Sequence, residues 1–246
     1  IDWAMAHKHL SSLIYLRAES EKDLAGYEES AASALSALEL FSKDETPYEW
    51  AALQHRLGLI HYTLGYEAGH TGTLKQALRC HQNALKIYSK RRTPARWAEV
   101  MSSFARAAQA FGEQVKSLEA IATAVNAYVA VLKVRNVKKG PLAWAATQNN
   151  LGSALFSLGK KASNPARIEG AIQAFEAALE LYELRDRNYE ASISRKNLDR
   201  AQKLMENMGS GRPSSGEVIE LDATVSEDLD PNLVAVPETE KDFNNG

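Results

Sequence analysis

Cysteine is almost missing from this chain: Cys80 is the only one in 246 residues. A lone thiol closes no internal disulfide, so a packed core must carry the fold, and a reducing, cytoplasmic setting is the expectation. Long apolar runs are missing as well. None reaches the roughly 18–20 residues of a membrane span, so no membrane partner is expected. Neither sign of charge dominates, because 29 basic and 31 acidic residues leave a formal charge of −2. That balance argues against nucleic acid as a partner. Neither common glycine-rich phosphate loop is present, and the Gly-His-Thr-Gly-Thr stretch at 69–73 reads as a turn.

Residues that could carry a reaction are equally sparse. The six histidines are His7, His9, His55, His61, His70 and His81. None forms the His-Glu-x-x-His pattern of a metalloprotease helix, and Cys80 has no CxxC partner. Cys80 and His81 are adjacent, but neighbours on a helix point about 100° apart, which spoils a nucleophile–base pair. No catalytic residue, cofactor or metal site is assigned, and the chain is read as not an enzyme.

What the chain does have is a repeat. Its four tryptophans, Trp3, Trp50, Trp97 and Trp144, stand 47 residues apart, each followed by an alanine. Seven residues after each comes Leu10, Leu57, Phe104 or Leu151, then Ser11, Gly58, Ala105 or Gly152. A second aligned series follows: Tyr27, Leu74, Ile121, Ile168; Ser30, Ala77, Ala124, Ala171; Ala34, His81, Tyr128, Phe175; Ala37, Ala84, Val131, Ala178; and a column that is Leu throughout. Both series follow the 3.6-residue period of an amphipathic helix and neither follows strand alternation. Each copy therefore reads as two helices, A and B. Pro47, Pro94 and Pro141 suit the first turn of helix A. Gly26, Gly72 and the Ser163-Asn164-Pro165 run are read as the link between A and B. The tryptophans share the apolar stripe and are expected to pack between adjacent helices, each burying on the order of 150–250 Å².

Gln148-Asn149-Asn150-Leu151-Gly152, followed by Ala171, Phe175, Ala178 and Leu179, resembles the tetratricopeptide repeat. The family unit is about 34 residues. This one is longer between Gly152 and Ala171 and at the junction into the next copy, so it resembles a long, bacterial-type variant with a Pro-x-x-Trp-Ala-x-x-Gln-x-x-Leu-Gly signature. The resemblance implies an all-α, right-handed superhelical solenoid of antiparallel helix pairs, about nine helices in all. It also implies a concave surface lined by helix A. On that face the candidate partner-binding residues are His55, Arg56, Ser102, Ser103, Arg106, Asn149, Asn150 and Ser153. Asn150 matches one position of the carboxylate clamp some members use, but the recurrent lysines are missing and that activity is not expected.

The repeats run over about 1–46, 47–93, 94–140 and 141–187, with a more polar capping helix over 188–207, so that the array covers 1–208. A solenoid needs such a cap because its last outer face meets water. Ile1-Asp2 falls where the first copy's proline would precede, so that copy reads as truncated, with a cut interior face open to self-association. Basic residues gather where helix B turns into the next helix A. Arg91 and Arg92 align with Lys138 and Lys139. They read either as compensation of the helix dipole or as a basic rim for an acidic partner. Residues 209–246 hold nine acids and two bases, a net of −7, which leaves +5 on 1–208. This segment reads as a disordered acidic tail. Its Val218-Ile219-Glu220-Leu221-Asp222 string could recruit a partner, or the tail could fold back on the rim.

The favoured function is a non-catalytic scaffold that binds a protein or peptide segment on the concave face. The alternatives are a regulatory sensor for a small signalling peptide and an accessory array of an enzyme whose catalytic domain lies elsewhere.

Overall fold

A computed structural model describes residues 2–209. The acidic tail, its apolar-acidic string and its return to the rim therefore lie outside the described residues. Among those residues there are nine α-helices and no strand. They are α1 (Asp2–Glu21), α2 (Leu24–Leu38), α3 (Pro47–Glu67), α4 (Thr71–Leu85), α5 (Pro94–Val115), α6 (Leu118–Leu132), α7 (Pro141–Lys161), α8 (Pro165–Leu184) and α9 (Asn188–Gly209). The prolines predicted to open helix A do so in α3, α5 and α7.

The turn from helix A to helix B is one device used four times. Lys22, Gly69, Lys116 and Ser163 all have positive φ, between 49° and 64°. The next residue donates its N–H to a carbonyl five positions back, as in Asp23 to Ala18, His70 to Gly65, Ser117 to Gly112 and Asn164 to Gly159, each at 2.9 Å. This is the Schellman closure of a helix C-terminus. The same residue then caps helix B: the side chains of Asp23, His70, Ser117 and Asn164 accept N–H bonds from Ala25, Thr73, Ala120 and Arg167. Gly26 and Gly72, expected to sit in these links, lie inside α2 and α4 instead. The left-handed residue is a glycine only in the second copy, so searching for glycine could not find it.

Each helix packs on the next in sequence, and α1, α3, α5, α7 and α9 also touch one another in succession. In the last three copies, A meets B where a small residue meets the column of a ring, His81, Tyr128 or Phe175. A Cβ built on Gly58 would lie 2.5 Å from the His81 ring, and one on Gly152 would lie 2.7 Å from Phe175. The first copy has no ring in this column. There Ser11 and Ser30 bond each other's carbonyls at 2.8 and 2.7 Å.

The tryptophans differ from expectation. The interior column is the alanine beside them: Ala4, Ala51, Ala98 and Ala145 are at most 1% exposed. Trp3 is 49% exposed and rests on His7, whereas Trp50, Trp97 and Trp144 are half-buried. The helices approach so closely that only a methyl fits between them, which turns each indole to the seam's edge. The first copy is open in another column too. Leu10 is 45% exposed where Leu57, Phe104 and Leu151 are 3%, 2% and 8%, because no described helix covers α1 as α2 covers α3.

Trp97 bridges two apolar clusters. Replacing it with Ala should cost about 2–3 kcal/mol, and Trp3→Ala less than about 1 kcal/mol. Denaturant unfolding of the two variants checks this order; equal losses would contradict it.

Candidate functional site

The odd-numbered helices meet in a fixed register. Gln109 on α5 donates to Ser153 Oγ on α7 at 3.0 Å, 44 residues on. The Ser157 hydroxyl donates to the Glu113 carboxylate, again 44 residues away, and Lys161 Nζ reaches the Glu113 carbonyl at 3.5 Å. Asn149 Oδ1 accepts from Ser194 Oγ on α9 at 3.1 Å.

Along this face runs a cavity of about 660 Å³. Two of its lining rings, Tyr128 and Phe175, come from helix B and are almost fully buried. Tyr62 and Tyr66 stack at 5.7 Å on the α3 side. The Arg106 guanidinium lies 4.6 Å over the Tyr62 ring, and that of Arg200 lies 5.2 Å over Phe156. Four cations line the cavity, Arg106, Lys160, Lys161 and Arg200, against one carboxylate, Glu113. Gln109 and Ser157 already donate to that carboxylate. Neither Arg106 nor Arg200 makes an ion pair among the described residues. An arginine stacked on a ring uses its face and keeps its N–H edge for a carboxylate or phosphate.

Of the residues picked from sequence, Arg106, Asn150 and Ser153 line this cavity. The others go elsewhere. Ser103 is buried and bonds the Glu99 carbonyl at 3.2 Å, and Ser102 bonds that of Ala98 at 2.7 Å. Both hydroxyls turn back on their own helix, as serine in a helix interior commonly does. Arg56 lies 4.5 Å over the Tyr15 ring and reaches Ser12 Oγ at 3.3 Å. Asn149 holds α9 to α7. Arg91, Arg92, Lys138 and Lys139 are exposed and line no part of the cavity. Beside Lys161 and Arg200, the lining residues that the sequence reading missed include Tyr62, Gln109 and Phe156, and one turn on Tyr66, Glu113 and Lys160. Each set is a 47-residue column on the stripe that includes Arg106 and Ser153, continued along helix A.

His55 belongs to a second cluster. Its Nδ1 lies 3.3 Å from His81 Nδ1, and its Nε2 lies 3.8 Å from Glu99 Oε1. His55 holds the Glu99 carboxyl down to about 2, and Arg96, at 3.0 Å, adds to the effect. His81 is wholly buried and its Nε2 has no hydrogen-bond partner. A proton added there would find no acceptor. Burial, and then His55, Arg106 and His61, push the His81 imidazole well below its ordinary value of 6.5. Cys80 is half-buried, and burial pushes its thiol up to about 12, which leaves little thiolate near neutrality. No group of three His, Cys, Asp or Glu among the described residues could hold a metal. No described helix is long and apolar enough to cross a membrane.

No family model, no curated protein and no solved structure matches the chain.

The His81 shift has a defined sign. The folded value lies below the unfolded one, so the unfolded chain takes up the proton first. The stability is complete above about pH 6.5 and is lost as pH falls through and below that value, at up to about 1.4 kcal/mol per pH unit for one proton. His61, also lowered by burial, adds in the same direction. His81→Phe, which copies the Gly152–Phe175 pair, should flatten the dependence between pH 7.5 and 5.5. Thermal unfolding across that range checks it; an unchanged slope would exclude His81 as the source.

Proposed function

We propose that residues 1–208 form a tetratricopeptide-like solenoid of antiparallel helix pairs. In this reading the solenoid is a non-catalytic scaffold that binds an extended peptide segment in the groove along the odd-numbered helices. Antiparallel pairing is supported by the order of contacts: Gly58 faces His81 while the later Gly65 faces the earlier Leu74. Placing the odd helices on the inner side of the curve is supported by their contacts with one another, which the even helices lack beyond at most one weaker pair. Closer spacing along one face is what curvature requires.

The observation that carries the reading is the pair of ring-stacked guanidiniums, Arg106 and Arg200, facing one cavity. Between them Asn150, Ser153 and Asn197 offer donors and acceptors of the kind that satisfy a peptide backbone. The rings give an apolar side chain a surface, and the cations favour acidic residues. The cavity's volume falls in the usual range of ligand sites.

A panel of fluorescein-labelled extended peptides, graded from neutral to acidic, tests this by anisotropy. Affinity should rise with acidic content and fall as salt is raised to about 0.5 M. Arg106→Ala should weaken the best peptide by about 10- to 100-fold, the equivalent of losing hydrogen bonds to a charged group. Indifference to Arg106→Ala would sink the groove as the binding site.

A further inference from the structure

The groove is positive, and the chain carries a strongly negative segment that begins beside it. Successive odd helices pair residues 44 to 48 positions apart, as in Gln109–Ser153, Glu113–Lys161 and Asn149–Asn197. The same step from Lys160 and Lys161 leads to residues 204–209, the end of α9. The chain therefore leaves the last helix next to the two lysines at the groove's edge. From Gly209 the first acid is Glu217. Eight residues reach up to about 27 Å, enough to carry it back along the groove. Glu217, Glu220, Asp222, Glu227 and Asp228 fall within the next twelve residues, with apolar Val218, Ile219 and Leu221 among them. Acids would meet the guanidiniums and lysines, and the apolar residues would meet the rings.

We propose that residues 217–228 of this chain occupy the groove between α3 and α9 in the same molecule and mask it from other acidic peptides. The rim at Arg91, Arg92, Lys138 and Lys139 is the weaker seat. Among the described residues none of its four cations lies over a ring, and it lies outside the cavity and does not adjoin the end of α9 in this register. Covalent attachment supplies an effective concentration on the order of millimolar, so even a weak acidic segment would fill the site. The proposal rests on the groove being a peptide site.

Zero-length carbodiimide coupling of the full chain at low micromolar concentration, read by peptide mass spectrometry, is the test. Lys160 and Lys161 should couple to Glu217, Glu220 or Asp222. The yield should fall roughly tenfold in the Arg106→Glu, Arg200→Glu variant, where attraction becomes repulsion. Both arginines are exposed, and circular dichroism checks that the helices persist. Coupling of those acids mainly to Lys90, Lys138 or Lys139 would overturn the proposal. So would coupling found only between isotopically labelled and unlabelled copies.

A second measurement keeps the two readings apart. Labelled hexaglutamate should bind the full chain carrying Glu217→Gln, Glu220→Gln and Asp222→Asn roughly tenfold more tightly than the unaltered chain, because the competitor has lost three of its five acids. Equal, Arg106-dependent binding to both would overturn the masking segment and leave the groove standing. No binding to either would end both readings.

Discussion

The architecture depends on how closely helix A approaches helix B. Where Gly58 faces His81 and Gly152 faces Phe175, there is no room for a further carbon without displacing a ring. One column supplies the small residue and the other the bulk. In the third copy the pair is Ala105 and Tyr128, both buried. In the first copy the ring is gone and two serines close the gap with hydrogen bonds to backbone. With the pair locked at its middle, the Schellman turn at its end has little freedom, and the same left-handed residue recurs every 47 positions whether or not it is glycine. Lysine at such a position costs on the order of 1 kcal/mol, which the surrounding contacts must offset.

From that constraint the groove follows. Repeated pairs of one geometry set the odd-numbered helices side by side at one offset, so that a residue on one helix meets the residue 44 places later on the next. Tyr62 then meets Arg106, Gln109 meets Ser153, and Phe156 meets Arg200. The composition of this ladder changes from copy to copy while its geometry does not. A repeat protein can vary its binding chemistry in this way without touching its core.

Much of this was legible in the sequence, and the failures have physical causes. Period and proline placement gave three helix A starts, because Pro47, Pro94 and Pro141 report on backbone chemistry that no tertiary contact overrides. In the Trp-Ala column Trp50 and Trp97 do pack against apolar clusters, but half-buried at their edge, and Trp3 is exposed. The wide spacing of a large residue drew attention to the indole, but in a seam this tight the packing unit is the alanine methyl. The stripe toward the groove was found through Arg106, Asn150 and Ser153 but stopped a turn short of Tyr62 and Phe156. The His55–His81 contact joins residues on two helices whose crossing point depends on Gly58, which no single-helix pattern contains.

The arginines on the ladder are a chemical choice that bears on both packing and recognition. Lysine placed over a ring offers one ammonium, whose charge then serves the ring or a ligand but not both at close range; Lys75, 5.7 Å from the Phe111 ring, is of this kind. Guanidinium is planar, with its weakly hydrated face and its hydrogen-bonding edge at right angles. Arg106, 4.6 Å over the Tyr62 ring, joins α5 to α3 and also lines the cavity. A ligand carboxylate can take that edge without lifting the arginine from the ring. If the groove is the peptide site proposed above, recognition and cohesion between neighbouring helices would draw on the same side chain without competing for it, and a filled groove would stiffen the array rather than pry it open.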